Sequence, residues 1–196
     1  MGIRLKSEFL MYKLRHSQKF VVRQKKGENF NMIQDSGNRR EFSTGAVRDI
    51  AEGKGRCDLL PLSVVAELTH SSVLKDIALF LDTGETQYIY HCLTDFCNSM
   101  FGGIATAMLE VSIHYEEGAK KYAERNWEVG LPCHSFIDSG VRHYLKHIRG
   151  DKDEPHDRAF VWNMMGLLWT LKYKPELNDL PTPVKKIVVS VEEESK

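Results

Sequence analysis

The chain has 196 residues, 42% of them hydrophobic and 28% charged, which is typical of a globular protein with one main domain. Its 27 basic and 27 acidic residues balance. No apolar run approaches the roughly 18 residues of a membrane-spanning helix, so we expect no membrane partner. The first residues lack the apolar stretch and cleavage site of a secretory signal. The four cysteines form no CxxC pair, which favours reduced thiols and a cytoplasmic location.

Residues 1–41 form a basic arm in which lysine and arginine outnumber aspartate and glutamate. Such an arm can contact nucleic acid, but this one contains no recognisable nucleic-acid-reading motif. We therefore favour an arm that is solvated or contacts another subunit, and we do not expect a nucleic-acid partner. Residues 19–23 within the arm could form a short strand.

Residues 44–58, which we call the basic strap, contain three glycines and alternating basic and acidic side chains, with no hydrophobic period. Composition alone favours a solvated loop. An ordered strap could not bury itself, so it would have to cross another part of the fold. Gly53 and Gly55 allow close backbone approach, while Lys54 and Arg56 offer cations suited to phosphate oxygens.

From residue 62 onward, apolar residues recur every three or four positions, which predicts a mainly α fold. Ser135 and Asp138 resemble an N-cap with its capping box, and Pro155 suits the first turn of the last helix. Residues 42–174 would form the helical domain, and 175–196 an extended tail with a strand at 184–191. We expect helices over 62–68, 73–81, 88–101, 104–124, 135–149 and about 155–173.

Carboxylates on these helices suggest a metal site. Mg²⁺ prefers one or two carboxylates together with substrate phosphates. Glu116 and Glu117 are adjacent, and two adjacent helical side chains diverge by about 100°, so both can reach one ion only at the edge of a groove. A simpler alternative stays open, in which the two glutamates pair with Lys120 and Lys121 on the helix surface. The acidic turn near the last helix could supply further ligands: Asp151, Asp153 and Glu154.

A His-Asp dipeptide raises a rival hypothesis. His156 and Asp157 match the pair that helps to bind metal in HD-type phosphohydrolases, and His143 and His114 could join such a site. The dipeptide is short, and Asp157 could equally be a first-turn charge that the helix dipole favours.

Several short motifs occur in an order that resembles a known family. They are TGAVRD at 44–49, GKGR at 53–56, DLLP at 58–61, GAKKY at 118–122, RNW at 125–127, RH at 142–143 and WN at 162–163. The series resembles the phage-associated dATP/dGTP diphosphohydrolases, relatives of the MazG-like all-α nucleotide pyrophosphohydrolases. The resemblance covers residues 42–173, with an apparent insertion near 70–105.

The resemblance implies hydrolysis of purine deoxynucleoside triphosphates to monophosphate and pyrophosphate, in a host cytoplasm if the gene is viral, where it could feed synthesis of a modified purine. It implies a MazG-like helical bundle with the basic strap over the substrate, assembled as a dimer or tetramer. Its cofactor would be Mg²⁺, or Mn²⁺ or Co²⁺, held by EExxE and ExxD motifs. Both motifs are incomplete here, because Lys120 replaces the third glutamate and His156 and Ala159 fall where ExxD would be.

The resemblance also implies roles for individual residues. Glu117 or Glu116 would orient the attacking water or accept its proton, and Asn126, Trp127 or Asn163 would meet the base. The expected metal ligands are Glu116, Glu117, Asp153, Glu154, His156 and Asp157. The expected substrate-binding residues are Arg48, Lys54, Arg56, Lys121, Arg125, Asn126, Trp127, Arg142, His143 and Asn163. Two alternatives stay open, an HD-type triphosphohydrolase or nucleotidase and a non-enzymatic nucleic-acid-binding protein.

Overall fold

The computed structural model describes residues 37–183, and within them the fold is mainly α, as predicted. A short antiparallel hairpin, β1 (Arg39–Glu41) and β2 (Val47–Asp49), pairs Arg40 with Arg48. Single 3-10 turns lie at Cys57–Leu59, Asn126–Val129 and Pro175–Leu177. The helices are α1 (Leu62–Thr69), α2 (Ser72–Thr83), α3 (Gln87–Phe101), α4 (Ile104–Lys121), α5 (Cys133–Arg149) and α6 (His156–Tyr173).

Helices α5 and α6 pack closely because glycines stand at their contact. A Cβ atom on Gly166 would lie 2.4 Å from Cε1 of Phe136, and one on Gly140 would lie 2.4 Å from Cε of Met164. Real Cβ atoms do not approach other atoms so closely, so a side chain at either position would displace its neighbour, the Phe136 ring or the flexible end of Met164. The buried side chains at this contact include Phe136, Ile137, Val141, Phe160, Met164 and Leu167.

The segment predicted as an insertion, 70–105, contributes to the same core. Helices α2 and α3 bury Leu74, Ile77 and Ile89 completely. The ring of Phe96 on α3 meets the ring of Phe160 on α6 edge-on, with centroids 4.7 Å apart. These helices therefore pack as part of the domain, and their origin as an insertion stays a prediction.

The predicted N-cap at Ser135 is wrong. Helix α5 begins two residues earlier, at Cys133, so Ser135 lies inside the first turn. Asp138 does not complete a capping box, because its Oδ1 accepts a hydrogen bond from the Cys57 backbone N–H at 2.7 Å. The sequence pattern of a cap was present, but a contact with the basic strap uses the carboxylate instead.

Other predictions lie outside the described residues. They are the strands at 19–23 and 184–191, together with most of the basic arm (1–41) and of the extended tail (175–196). Within 37–183, no single helix is both long and apolar enough to cross a membrane. Helices α3 and α4 meet that test only as a pair, by length and composition, and they are bent by 90°.

Candidate active site

A cavity of about 570 Å³ lies between the basic strap, the end of α4 and the middles of α5 and α6. The basic strap supplies one side of it, and the turn after α4 supplies another. Residues from segments far apart in sequence therefore meet around one space. Its polar and aromatic lining includes Arg40, Arg48, Asp49, Lys54, His114, Tyr115, Glu116, Tyr122, Glu124, Arg125, Asn126, Trp127, Ser139, Arg142, His143, Glu154, Trp162 and Asn163.

Hydrogen bonds and an ion pair fix the basic strap over this cavity. The Asn126 amide receives a bond from the Val47 N–H at 3.0 Å and donates one to the Val47 carbonyl at 2.9 Å. The Lys121 ammonium pairs with Asp49 at 2.7 Å, and the Thr44 hydroxyl donates to the carbonyl of Gly130 at 2.8 Å. The basic strap is thus an ordered wall of the cavity and not a solvated loop.

Five cations line the same cavity: Arg40, Arg48, Lys54, Arg125 and Arg142. The buried Nε atoms of Arg40 and Arg142 have no hydrogen-bond partner among the described residues. Burial lowers the pKa of Lys54 and of Arg40, in each case against the opposing effect of a nearby aspartate. Arg142 forms an ion pair with Asp138. An excess of cations with unused donors suits a polyanion such as a phosphate chain.

Aromatic rings line another part of the cavity. Tyr115 meets Trp127 edge-on with centroids 5.8 Å apart, and it lies 6.1 Å from the ring of Trp162. The guanidinium of Arg48 lies 5.2 Å from the Trp162 ring and donates to Oδ1 of the Asn163 side chain at 3.1 Å. Burial lowers the pKa of Arg48 to about 10. These flat surfaces are the kind on which nucleic-acid bases stack.

Two histidines and a glutamate converge where α5 meets the start of α6. His143 Nδ1 lies 3.0 Å from His156 Nδ1 and 3.5 Å from Glu154 Oε1, which is itself 3.6 Å from His156 Nδ1. Burial lowers the pKa of His143 well below its usual value and raises that of Glu154. His143 and Glu154 line the cavity, so a molecule bound in the cavity could contact these two members of the group.

Asp153 completes this group from behind. Its carboxylate lies 2.8 Å from His156 Nε2 and 2.8 Å from the Lys146 ammonium. The hydrogen bond from Lys146 lowers the pKa of Asp153 most, and the hydrogen bond with His156 lowers it further. The carboxylate is therefore ionised at neutral pH and accepts a hydrogen bond from His156 Nε2–H, which leaves Nδ1 of that ring facing His143 and Glu154.

Residues 91–180 match the family model described as dATP/dGTP diphosphohydrolase, N-terminal. Over these residues the chain is similar to the dATP/dGTP diphosphohydrolase family. No curated protein and no solved structure matches it significantly. The predicted resemblance to this family is confirmed, whereas the further relation to the MazG-like enzymes stays a prediction.

The region that matches the family model carries most of the cavity-lining residues. It includes the end of α4, the turn with Asn126 and Trp127, the histidine–glutamate group and α6. The basic strap lies before residue 91 and outside the match. Its place at the cavity therefore comes from the structure alone.

The predicted glutamate pair divides in the structure. Glu116 lines the cavity, and its exposed carboxylate lies 2.5 Å from the Lys120 ammonium. Glu117 is half-buried and is not one of the lining residues. The surface pairing left open by the sequence is therefore present for Glu116. The catalytic and metal-binding roles of both residues stay predictions.

Among the other predicted metal ligands, Glu154, Asp153 and His156 come together, and His143, which we expected to contact substrate, joins them. Asp157 does not belong to this group, because its carboxylate accepts a hydrogen bond from the Arg158 N–H at 2.8 Å.

The predicted substrate-binding residues also divide. Arg48, Lys54, Arg125, Trp127 and Arg142 all line the cavity. Arg56 instead pairs with Asp58, at 2.5 Å, and lines a neighbouring hollow of about 310 Å³. Lys121 is engaged with Asp49.

Asn126 and Asn163 line the cavity, but their amides already bond other protein groups. Asn126 holds Val47, as described above. The Asn163 amide donates to the Ala159 carbonyl at 2.8 Å and accepts from Arg48. The predicted contact of either amide with the base stays a prediction, and the geometry favours a supporting role for both.

Sequence reasoning assigned no substrate role to several lining residues: Arg40, Tyr115, Trp162 and His114. Trp162 belongs to the WN motif at 162–163, and this motif was the available indication of a role for Trp162. Arg40 fell within the predicted arm. The buried Nδ1 of His114 has no hydrogen-bond partner among the described residues. Burial, followed by the charges of Arg158, Arg48 and Lys121, lowers the pKa of His114 to about 3.

Proposed function

We propose that the cavity binds a purine deoxynucleoside triphosphate, and that the chain hydrolyses it to the monophosphate and pyrophosphate. The observation that carries the proposal is one cavity that combines an aromatic surface, a set of cations and a histidine–glutamate group. These three features suit the base, the phosphates and a metal ion of one nucleotide. The match of residues 91–180 to the dATP/dGTP diphosphohydrolase family model supports both the substrate class and the reaction.

The base would lie against the aromatic rings. Stacking of a base on an aromatic side chain contributes about 1–3 kcal/mol, and a purine offers more ring surface than a pyrimidine. Trp127, Tyr115 and Trp162 offer the cavity's ring surfaces. Because stacking does not by itself distinguish adenine from guanine, the aromatic surface supports binding of both dATP and dGTP.

The phosphates would lie against Arg40, Lys54 and Arg142. Arg40 and Arg142 each have a buried Nε without a partner, and bonds to phosphate oxygens would satisfy these donors. As the α–β bond breaks, negative charge grows on the leaving pyrophosphate, and fixed cations stabilise it more than they stabilise the ground state. These side chains would therefore assist both binding and leaving-group departure.

A divalent metal would complete the site. The histidine–glutamate group fits a cation, because three donor atoms converge at the cavity surface. His143, Glu154 and His156 would hold the ion. When bound, Mg²⁺, Mn²⁺ or Co²⁺ supplies charge neutralisation and a more acidic bound water. Glu116 lines the cavity and stays our candidate for orienting the water or accepting its proton, with Glu117 as the second candidate.

The close approach of His143 and His156 is the observation that supports the HD-type alternative. In such a site an aspartate next to the histidine would be expected to join the ligands. Asp157 instead bonds the Arg158 backbone. This observation favours the diphosphohydrolase proposal, and the products of the reaction distinguish the two.

We also propose that the chain forms a homo-oligomer. Helix α4 exposes Leu109 and Ile113, which lie one turn apart on one face, and Leu109 is 72% accessible. An apolar helix face of this kind is suited to burial against a second copy. Light scattering coupled to size-exclusion chromatography measures the mass directly, and a monomer at all concentrations would contradict the proposal.

The function is tested by incubating the protein with each of the eight common ribo- and deoxyribonucleoside triphosphates and a divalent metal, followed by chromatography. We expect dGTP and dATP to give monophosphate and pyrophosphate in equal amounts. Arg142→Met should slow the reaction, whereas His134→Ala, outside the cavity, serves as a matched control. Free triphosphate with a nucleoside would support the HD-type alternative. Salt-dependent nucleic-acid binding without turnover would support the accessory protein.

A further inference from the structure

We infer that His143, Glu154 and His156 form a site for a divalent transition-metal ion that prefers nitrogen ligands and binds Mg²⁺ poorly. The inference rests on the proposed function for the role of the ion beside the phosphates, but the site itself stands on the geometry of this chain. It narrows the choice of ion that the proposed function left open for these three residues, and it differs from the Mg²⁺ site expected at Glu116 and Glu117.

The distances between the three donor atoms match those of a bound transition metal. They are 3.0, 3.5 and 3.6 Å. Ligands about 2.1 Å from a metal lie roughly 3.4 Å apart in a tetrahedral arrangement and about 3.0 Å apart in an octahedral one. The observed separations span these two values, so the site needs only small side-chain adjustments to hold an ion.

The donor types decide which ion fits. Mg²⁺ prefers six oxygen ligands and gives up its water reluctantly. Imidazole nitrogen suits Zn²⁺, Fe²⁺ and Ni²⁺, and a site of this kind binds Co²⁺ more tightly than Mn²⁺. Two imidazoles and one carboxylate leave coordination positions for water or a phosphate oxygen. Because His143 and Glu154 line the cavity, those positions would face the substrate.

The surroundings of His156 also suit a metal ligand. Its ring is almost completely buried, and Nε2 lies 2.8 Å from the Asp153 carboxylate. A metal-binding histidine usually donates its second N–H to a carboxylate in this way, which fixes the ring and increases its basicity. The Lys146 ammonium, 2.8 Å from Asp153, holds the carboxylate in turn. Asp153 is thus a positioning residue for the site.

A second group of possible ligands shares His156 with the first. It consists of Asp151, Asp153 and His156. Asp151 is ion-paired with Arg149, and Asp153 is paired with Lys146. Both carboxylates would have to give up these cations to bind an ion, so the group with His143 is the better site.

Metal binding to the full chain without nucleotide tests the inference. Chelator-treated protein is titrated separately with Co²⁺, Mn²⁺ and Mg²⁺ by calorimetry, and the visible absorption of bound Co²⁺ reports nitrogen ligation. We expect one Co²⁺ per chain, bound at least about tenfold more tightly than Mg²⁺. Glu154→Gln and His143→Asn should each weaken Co²⁺ binding by at least about tenfold, and Asp153→Asn by about 10- to 100-fold.

Controls separate this result from unfolding and from failure of the proposed function. The circular dichroism of each variant must match that of the parent, and Glu154→Gln is nearly isosteric. His134→Ala and Glu116→Gln should leave Co²⁺ affinity unchanged. Unchanged Co²⁺ affinity in both Glu154→Gln and His143→Asn would overturn the inference even if dGTP is hydrolysed. Mg²⁺ binding as tight as that of Co²⁺ would also overturn it if both variants weaken that binding, because Mg²⁺ held at Glu116 and Glu117 would not respond to them. Tight Co²⁺ binding without hydrolysis would instead contradict the proposed function.

Discussion

Substitution of Asn126 by alanine should release the basic strap from the turn after α4. Its side-chain amide forms two hydrogen bonds with the backbone of Val47, at 3.0 and 2.9 Å. The two residues are 79 positions apart in sequence. Asn126→Ala removes both bonds and leaves the rest of the turn unchanged.

The expected magnitude follows from those two bonds. Each contributes a net of about 0.5–1.5 kcal/mol, so the variant should lose about 1–3 kcal/mol of folding free energy. The same detachment withdraws Lys54 from the phosphates. If the full amount appears in binding, the KM for triphosphates rises by about 5- to 150-fold.

Two assays measure the consequences. Urea unfolding followed by circular dichroism gives the stability, and steady-state hydrolysis of dGTP, dATP and dCTP gives the base preference. If Asn126 only anchors the basic strap, all three substrates should be affected by the same factor. Asn178→Ala is a matched control, because this amide oxygen accepts one bond from the nearby Leu180 N–H at 3.3 Å.

A change in base preference without a change in stability would refute this reasoning. That result would show that Asn126 reads the base, as the sequence had suggested. Unchanged stability with unchanged kinetics would show that the basic strap is held adequately by its other contacts.

Further predictions concern pH, packing and charge. Burial lowers the pKa of His114 to about 3, so below pH 6.5 the unfolded chain binds a proton that the folded chain excludes. The stability contributed by neutral His114 is present above pH 6.5 and is lost as the pH falls towards 3, by at most about 1.4 kcal/mol per pH unit. The free energy of unfolding of His114→Gln should lack this pH dependence. The same pH dependence in both proteins would contradict the prediction. Gly166→Ala should lose about 1–3 kcal/mol of folding free energy because the new Cβ would lie 2.4 Å from Phe136. Gly118→Ala, where the new Cβ would meet no atom of residues 37–183 within 4 Å, should gain up to about 1 kcal/mol. Thermal unfolding measures both variants, and equal effects would argue against the close helix contact. Lys54→Met should weaken triphosphate binding by about fivefold and monophosphate binding by less. Calorimetry at low and high salt measures both affinities. An equal loss of affinity for both ligands would place Lys54 away from the β- and γ-phosphates.

The helices could be predicted from sequence because their signal is local. Apolar residues at helical spacing, such as Phe160, Met164 and Leu167, mark the buried face of α6, and Gly150 ends α5 in the left-handed conformation, at φ 90°. The capping error at Ser135 shows the limit of this reasoning. A cap pattern is local as well, but the Asp138 carboxylate bonds a backbone N–H 81 positions away.

The site could be predicted only in part because its parts meet through tertiary packing. The basic strap has no hydrophobic period, and its order depends on partners such as Asn126 that lie far along the chain. The sequence marked Glu154 and His156 as metal ligands, but the approach of His143 requires the packing of α5 against α6. The adjacency of Glu116 and Glu117 suggested a pair, yet only Glu116 lines the cavity.

The position of bond cleavage tests the central claim most directly. Purified chain is incubated with dGTP and a divalent metal in oxygen-18 water, and the products are followed by phosphorus NMR and mass spectrometry. We predict dGMP and pyrophosphate in equal amounts, with one oxygen-18 atom in one of the two products. Glu154→Gln should form neither product at a comparable rate. Release of deoxyguanosine with labelled or unlabelled triphosphate, or of dGDP with phosphate, would contradict cleavage between the α- and β-phosphates.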